Sequence, residues 1–369
     1  MSGINVKRFV DIDIKTNVIS GIVGTRDTVV LFTPEGTEGT QNLISSMTEA
    51  VETYGLMATT LAYLTVFFNN GGVKCLVIEG TAYSAITASM LKDLKDEYIL
   101  VVSAIPTANI TAGYSAMKTL ATTRNSDTSI YGVNEKIIIT RSNVFNDTAS
   151  VKNFAVKYSQ TLGAEMTIAA YLTRINVYKQ DTVYDYAFTA ETLGFDGNEQ
   201  PIYEDIDDDD FGTLISNNYN VDINLADTVV NMGGNCKNGA DITNTYVNII
   251  LHQTLTTRLT RLLQQKIKNS SGLAQIYTIA AQELEEYKNA GYLTTDKIWT
   301  KDDLTIVYNN QTYTIITKGT PLVTGYYIKV LPLSSLTEAD KLARKTPPIY
   351  IVIADQYGIR QITINGEVI

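Results

Sequence analysis

The stretch Phe67-Phe68-Asn69-Asn70-Gly71-Gly72-Val73-Lys74-Cys75-Leu76-Val77-Ile78-Glu79 carries the most information about the fold. An apolar helix is predicted to end at the Asn-Asn-Gly-Gly turn, because glycine supplies the positive φ that a helix C-cap requires. The Val- and Ile-rich residues that follow have the length and composition of a short strand. The stretch therefore predicts a crossover from a helix to a strand.

On both sides of this crossover, strand and helix patterns alternate over residues 25–200. The predicted strands are 28–33, 74–79, 98–105, 136–140 and 167–172. The predicted helices are 40–68, 84–97, 112–124 and 149–163. Alternation of this kind is typical of a mostly parallel sheet with helices on both faces. Residues 25–200 are therefore predicted to form a three-layer α/β domain.

The second half of the chain has a different pattern, and residues 201–357 are predicted to form an α+β domain. Its clearest element is a helix over 244–268, which places a stripe of Leu, Ile and Val at helical spacing. The other predicted elements are a helix at 273–289, strands at 304–308, 312–317, 326–331 and 349–354, and a short helix at 337–344. Asn309-Asn310 is predicted to form a tight hairpin turn between two of these strands.

The acidic run Glu204-Asp205-Ile206-Asp207-Asp208-Asp209-Asp210 separates the two halves. A block of like charges usually lies in a solvated loop, so the run is interpreted as a boundary between domains. The Asp-x-Asp-x-Asp-Gly pattern of a calcium loop is absent from the sequence, and no metal site is predicted.

Both ends of the chain are predicted to be strand-forming arms, residues 1–24 and 358–369. In the first arm the apolar residues Val10, Ile12 and Ile14 alternate with charged residues, the period of a half-buried strand. In the second arm a strand is predicted over 359–364, with Ile359, Ile362 and Ile364. A terminal strand needs a partner sheet, which lies either in the same subunit or in a neighbour.

Composition limits the possible functions. The 369 residues are 44% hydrophobic and 18% charged, which indicates a folded protein with room for two or three domains. The net charge of −10 argues against broad nucleic-acid binding. The N-terminus lacks the apolar core of a signal peptide, and the longest apolar stretch, 56–68, is shorter than the roughly 20 residues of a membrane span. A soluble protein without membrane insertion is predicted.

The sequence offers little that could support catalysis. His252 is the single histidine and is predicted to be structural, within the helix 244–268. Cys75 and Cys236 lack metal-type spacing, and two cysteines with one histidine cannot build the usual zinc site. The segment Gly21-Ile22-Val23-Gly24 precedes a strand, whereas a dinucleotide fingerprint follows one. No cofactor and no catalytic residue are predicted, although two carboxylates meeting in the fold would permit hydrolysis.

Several stretches resemble contractile tail sheath proteins of myophages and phage-derived bacteriocins. The Phe-Phe-x-Asn-Gly-Gly motif at 67–72 is the most specific of them. The segment 169–176 (Ala-Ala-Tyr-Leu-Thr-Arg-Ile-Asn) with 191–194, the Gly-Gly segment 231–239 before a long helix, and 347–353 before a terminal strand follow the order of that family. Near residue 173 the chain lacks the Arg-Thr-Asp motif that is common in the family.

The resemblance implies a mechanical role. Sheath subunits form hexameric rings stacked helically around a tail tube, and they donate terminal strands to the sheets of neighbours. Here the implied assembly residues are those of the two arms: Val10, Ile12, Ile14, Ile359, Ile362 and Ile364. Main-chain pairing of this kind holds a partner whatever its side chains. The implied location is a virion tail, assembled in the host cytoplasm, whose contraction drives the tube through the host envelope.

The resemblance also implies partners: the tail tube protein, the baseplate and the tail terminator, without nucleic acid. In this reading the helix 244–268 faces the tube, with Arg258, Arg261, Lys266 and Lys268 as its charged residues. Arg258 and Arg261 lie one turn apart on a flank away from the leucine stripe. Cations near a helix C-terminus are also favoured by the helix dipole alone, by about 0.3–1 kcal/mol each.

Two other classes compete with the sheath interpretation. One is a soluble α/β enzyme that uses paired carboxylates, and the other is a different virion component such as a tube or surface-layer protein. An enzyme is expected to tolerate removal of 1–15 or 358–369 where they cover no core, whereas a sheath is expected to lose polymerisation. A tube protein is expected to be a closed β-barrel, which the alternation over 25–200 disfavours.

Overall fold

The computed structural model describes residues 26–55, 58–126, 134–178, 186–187, 189–194, 201–225, 227–264, 269–342 and 345–354. The predicted arms lie outside these residues, and with them the proposed pairing residues Val10, Ile12, Ile14, Ile359, Ile362 and Ile364. Lys266 and Lys268 also lie outside the described residues.

A mixed eight-stranded sheet forms the centre of the fold. Its strands are β1 Thr28–Phe32, β2 Gln41–Ile44, β3 Lys74–Ile78, β4 Leu100–Ser103, β5 Ile137–Ser142, β6 Phe154–Tyr158, β7 Asn220–Leu225 and β8 Thr228–Met232. Their order across the sheet is β2-β3-β1-β4-β5-β6-β7-β8. The six inner strands are parallel, and the edge strands β2 and β8 are antiparallel to their neighbours. The predicted mostly parallel sheet is confirmed.

Helices cover both faces of this sheet. They are α1 Met47–Tyr54, α2 Ala58–Asn69, α3 Ala88–Asp93, α4 Ile110–Ser126, α5 Met166–Thr173, α6 Asp208–Ser216, α7 Ile242–Gln264 and α8 Asn269–Asn289. A further short helix, α9 Glu338–Leu342, belongs to the C-terminal part. Alternate residues of β1 enter different cores, because successive strand side chains point to opposite faces. Val29 and Leu31 pack with α1, α2, α5, α7 and α8, while Val30 and Phe32 pack with α3, α4 and α6.

The predicted crossover from a helix to a strand at residues 67–79 is confirmed. Gly71 has φ 77° and ends α2, and the backbone N–H of Gly72 donates to Phe67 O at 3.0 Å. A Cβ on Gly72 would lie 2.4 Å from the ring of Phe67, so this turn needs glycine for space as well as for φ. β3 follows at once, between β1 and β2.

The single helix predicted over 40–68 is wrong. The segment forms the edge strand β2 and two helices, α1 and α2. Gly55, with φ 58°, ends α1, and the Ser46 side chain caps its start by accepting from the backbone N–H of Glu49. Pairing of β2 with β3 overrides the local pattern, because a sheet edge offers the backbone hydrogen bonds that residues 41–44 lack on their own.

Two further assignments are reversed. The predicted helix 149–163 contains the strand β6, and the predicted strand 167–172 is the helix α5. Every residue of α5 is buried, so its sequence carries no polar face from which a helical period could be read. Residues 154–156 of β6 are buried as well, in the interior of the sheet.

The acidic run is only partly a loop. Asp207 caps α6 by accepting from the backbone N–H of Asp210, and Asp208, Asp209 and Asp210 form the first helical turn. Carboxylates are favoured there by the helix dipole. All four of these aspartates are exposed, as predicted for a solvated run. The sheet continues beyond residue 200 through β7 and β8, which follow α6 in the chain.

Three two-stranded ribbons complete the C-terminal part. Their strands are β9 Lys297–Ile298, β10 Leu304–Tyr308, β11 Gln311–Ile316, β12 Pro321–Leu322, β13 Tyr326–Val330 and β14 Ile349–Ile353, paired as β10–β11, β12–β9 and β13–β14. Asn309 and Asn310, with φ 48° and 61°, make the predicted tight turn between β10 and β11. Within the described residues, no helix is long and apolar enough to cross a membrane.

Candidate assembly surfaces and buried charge clusters

The ribbon β13–β14 is the strongest candidate for a strand-accepting surface. Its register runs antiparallel from Tyr326 opposite Ile353 to Val330 opposite Ile349. In the described part of the chain, each of the two strands has only the other as its strand partner. The outer edge of each strand therefore offers backbone groups for another strand.

The two faces of this ribbon are already occupied. Ile351 and Ile353 pack into the main core, which α7 and α8 also line, and Tyr326 OH donates to Glu285 Oε2 of α8 at 3.3 Å. Val352, on the other face, packs with Ile315 and Leu331 in a smaller core. Because helices and ribbons cover both faces, growth of this sheet is possible only at its edges.

The charged flank of α7 differs from the sequence prediction at one residue. Arg261 is exposed, as predicted. Arg258 is only 34% exposed and forms an ion pair with the buried Glu283 of α8, with Glu286 Oε2 at 3.6 Å from its second terminal nitrogen. Sequence spacing within α7 could not show this, because the partners belong to the next helix.

This ion pair has a pH dependence that can be measured. Burial raises the pKa of Glu283 from 4.5 to about 7; the Arg258 charge opposes this rise and the Glu286 charge adds to it. The folded state therefore binds more protons than the unfolded state between pH 4.5 and about 7, and its stability falls as pH rises through that window. Glu283→Gln should remove that part of the fall, an effect on the order of 1–3 kcal/mol across the window.

Urea unfolding of wild type and variant at several pH values checks this prediction. The difference between the two free energies of unfolding should change with pH only between about 4.5 and 7. A constant difference over that range would contradict the raised pKa. Glu286→Gln, at the half-exposed partner of the same arginine, is a matched control and should shift the free energy at pH 7.5 by less than about 0.5 kcal/mol.

The motifs that carried the sequence resemblance meet in space. The Asn70 side chain accepts from Thr192 N at 2.8 Å and donates to Thr192 O at 2.7 Å, so it clamps the segment 191–194 to the end of α2. A Cβ on Gly71 would lie 3.2 Å from Arg174 Cδ, at the end of α5. Because these three segments are in contact, a residue in one of them limits which residue types fit in the other two.

A fully buried lysine lies at the centre of a polar cluster between β6, β7 and β8. Lys157 Nζ lies 2.5 Å from Glu191 Oε2, 2.5 Å from Asp222 Oδ1 and 3.0 Å from Asn231 Oδ1. Tyr186 OH, at 3.2 Å, completes the surroundings. Glu191 reaches the cluster because the segment 189–191 pairs briefly with the free edge of β8. Sequence reasoning missed this cluster, since its members are far apart in the chain.

A second buried cluster lies at the carboxyl ends of β4 and β5. Arg141 donates to Ile105 O at 2.5 Å, to Gln160 O at 3.1 Å and to Thr161 O at 3.0 Å. Its Nε lies 3.6 Å from Glu165 Oε2, and Tyr63 OH donates to Glu165 Oε1 at 2.8 Å. Neither charged side chain has any exposed surface. This cluster joins two strands to α2 and α5.

Of these two buried clusters, that of Lys157 brings two carboxylates together, Glu191 and Asp222, whereas that of Arg141 contains one, Glu165. Both are closed to solvent, and a hydrolase needs a substrate and water at its carboxylates. His252 is half-buried on α7, and burial raises the pKa of the Cys236 thiol to about 12 and that of Cys75 still further. The described residues contain no group of three or more His, Cys, Asp or Glu that could hold a metal ion.

The chain is similar to known proteins in two respects: the sequence of its C-terminal part and its fold. Residues 242–368 match the family model of the E217 tail sheath protein gp31-like C-terminal domain. No curated protein matches the chain by sequence.

Solved structures extend the likeness to the whole chain. A chain of the anti-feeding prophage (AFP) baseplate is 14% identical, with a TM-score of 0.62, over 97% of this chain and 98% of that one. A chain of the PVC sheath complex, from an extracellular contractile injection system in the contracted state, is 12% identical, with a TM-score of 0.62, over 97% and 96%. A chain of the contracted AFP helical sheath is 14% identical, with a TM-score of 0.60, over 100% and 99%.

At these identities the structural likeness shows the fold, and the family match adds a sequence similarity over residues 242–368. Together they confirm the predicted resemblance to contractile tail sheath proteins.

Proposed function

We propose that this chain is the repeating subunit of a contractile sheath, which polymerises around a tail tube through exchanged terminal strands. The observation that carries the proposal is the ribbon β13–β14, covered on both faces and open at both edges within the described residues. The two terminal arms have strand-type sequences, so each of them is suited to pair with an edge of this ribbon as an added strand. Each neighbour would contribute main-chain hydrogen bonds, and alternate apolar side chains would set the register.

The arms Val10–Ile12–Ile14 and Ile359–Ile362–Ile364 are the proposed donors. Pairing within the subunit is the alternative. In that case no polypeptide segment would pass from one subunit into the sheet of its neighbour. Exchange gives a mesh in which every subunit is held by the chains of its neighbours. Such a mesh stays connected while folded domains rotate as rigid bodies, the kind of motion that contraction requires.

In this role the subunits form hexameric rings stacked around the tube, between a baseplate and a tail terminator, in a virion or virion-like tail. Contraction would drive the tube through the host envelope. No bound nucleotide is needed if the extended array is metastable and relaxes to one that buries more surface. The family match and the sheath fold support this assignment.

Attachment to the tube is proposed for the exposed flank of α7. Arg261 is its exposed described charge, and Lys266 and Lys268 follow it in the sequence. Arg258 contributes less than the sequence implied, because Glu283 and Glu286 already neutralise it. Exposed ion pairs contribute roughly 0–1 kcal/mol each, which suits an attachment that releases on contraction.

Arg261→Glu should weaken assembly of the sheath on its tube while leaving the subunit folded. The charge reversal turns an attractive contact with an acidic tube surface into a repulsive one, and the exposed position spares the core. The measurement is the fraction of tube-filled sheaths in electron micrographs of co-expressed sheath and tube proteins. Lys341→Glu, an equally drastic change at an exposed residue of α9, is the control. Tube-filled sheaths at the wild-type fraction would exclude Arg261 from the attachment.

The proposed function itself is tested by negative-stain electron microscopy of the concentrated protein, alone and with its tube protein. Striated cylinders are the expected result. A monodisperse monomer in both preparations would overturn the proposal, since a tube template would then have been supplied without effect.

A further inference from the structure

The Lys157 cluster brings an amine and a carboxyl together inside a rigid sheet. Lys157 and Asp222 lie on the neighbouring parallel strands β6 and β7, whose register pairs Tyr158 with Val221. Lys157 Nζ lies 2.5 Å from Asp222 Oδ1, and neither side chain has exposed surface. Glu191 Oε2 approaches the same amine to 2.5 Å. The three groups therefore occupy a site closed to solvent.

We propose that Lys157 and Asp222 join in an intramolecular isopeptide bond, with Glu191 as the proton acceptor. Lys157 first gives a proton from its ammonium group to the Glu191 carboxylate. The free amine then attacks Asp222 Cγ, a C–N bond forms, and the C–OH bond of the carboxylic acid breaks. The departing hydroxyl takes the second amine proton, relayed by Glu191, and leaves as water. Glu191 keeps the first proton, so charge and atoms balance without an oxidant or co-reactant.

The surroundings favour each part of this step. Burial and the negative charge of Glu191 raise the pKa of Asp222 well above its ordinary value, which supplies the carboxylic acid that amide formation needs. Burial disfavours the Lys157 ammonium, but Asp222 and Glu191 outweigh it and raise the pKa of Lys157. Proton transfer to Glu191 must therefore come first, and the 2.5 Å contact provides the path.

Proximity lowers the barrier to amide formation, which is slow between the same groups in water. Groups held in a reactive arrangement reach effective molarities of about 10⁵–10⁸ M. Exclusion of solvent from the site also disfavours hydrolysis of the product. Asp222 Oδ2 and Glu191 Oε1 are buried and have no hydrogen-bond partner while both are carboxylates, and one proton shared between these two carboxyl groups would satisfy both.

The bond would join two inner strands that are separated by 65 positions in the chain. The chemistry does not depend on the sheath role. If the chain is a sheath subunit, as proposed above, the bond would hold β6 against β7 when contraction loads the sheet.

Mass spectrometry of the denatured full-length protein tests the proposal directly. We expect the intact mass to lie one water, about 18 Da, below that of the sequence. Trypsin should then fail to cut after Lys157 and should release a branched peptide that joins residues 153–174 to residues 180–237. Wild-type protein at the full sequence mass, with ordinary cleavage after Lys157, would overturn the proposal.

Two isosteric variants assign the roles. Asp222→Asn should lose ammonia instead of water, about 17 Da, because the leaving group is now nitrogen. Glu191→Gln should keep the full mass, because the proton acceptor is gone. A wild-type chain that loses ammonia and is joined at Asn231 would contradict the choice of Asp222. A bond formed equally fast in Glu191→Gln would contradict the role of Glu191.

Discussion

Removal of residues 358–369 should abolish polymerisation and leave a folded monomer. The C-terminal arm contributes backbone hydrogen bonds to a neighbour in the proposed assembly, and their loss affects every subunit contact of that kind at once. Sedimentation should therefore move the protein from the pellet to the supernatant, while its far-ultraviolet circular dichroism stays that of the full chain.

A more specific variant keeps the arm but removes two of its backbone hydrogen-bond donors. Successive backbone N–H groups of a strand point to opposite sides, so Ile362→Pro with Thr363→Pro removes one donor from each side of the arm. Ile362→Val with Thr363→Val retains both donors and is the matched control. Polymer formed by the proline variant as readily as by the valine variant would show that the arm does not pair through its backbone.

Arg141→Met should cost the subunit about 3–5 kcal/mol of stability, because breaking a buried ion pair leaves its partner uncompensated. Methionine fills much of the same volume but cannot donate to the carbonyls of Ile105, Gln160 and Thr161. Burial already raises the pKa of Glu165, and the Arg141 charge is what opposes that rise. The measurement is urea unfolding at neutral pH, with the free energy extrapolated to water.

Lys341→Met provides the comparison for that variant. Lys341 lies 2.6 Å from Glu338 in an exposed pair on α9, and an exposed pair is worth roughly 0–1 kcal/mol. A cost below about 1 kcal/mol for both variants would show that the buried cluster does not hold β4, β5 and α5 together.

The sequence predicted the sheet where the pattern of each element was unambiguous. β1 and β3 are apolar runs of strand length, and the Asn-Gly-Gly turn fixes the end of α2 at Asn69. The assignments of α5 and β6 were wrong because these elements are buried and lack a regular alternation of polar and apolar residues. α5 is buried on every side, and β6 places a lysine in an apolar run, so neither shows the period of its own structure.

The candidate sites depended on contacts between distant residues. The helix that carries Arg258 and Arg261 was correctly predicted, but the pairing of Arg258 with Glu283 depends on how α8 folds back. The Lys157 cluster joins residues 157, 191, 222 and 231 through strand pairing that no local pattern encodes. The open edges of β13–β14 became visible only with the register of the two strands and the cover on both faces.

The central claim is that neighbours complete the β13–β14 sheet, and cryo-electron microscopy of assembled cylinders tests it most directly. The expected map shows added strands along the edges of β13 and β14, with density that traces back to the terminal arms of adjacent subunits. A map in which both arms pair within their own subunit, with the ribbon edges facing solvent, would contradict strand exchange.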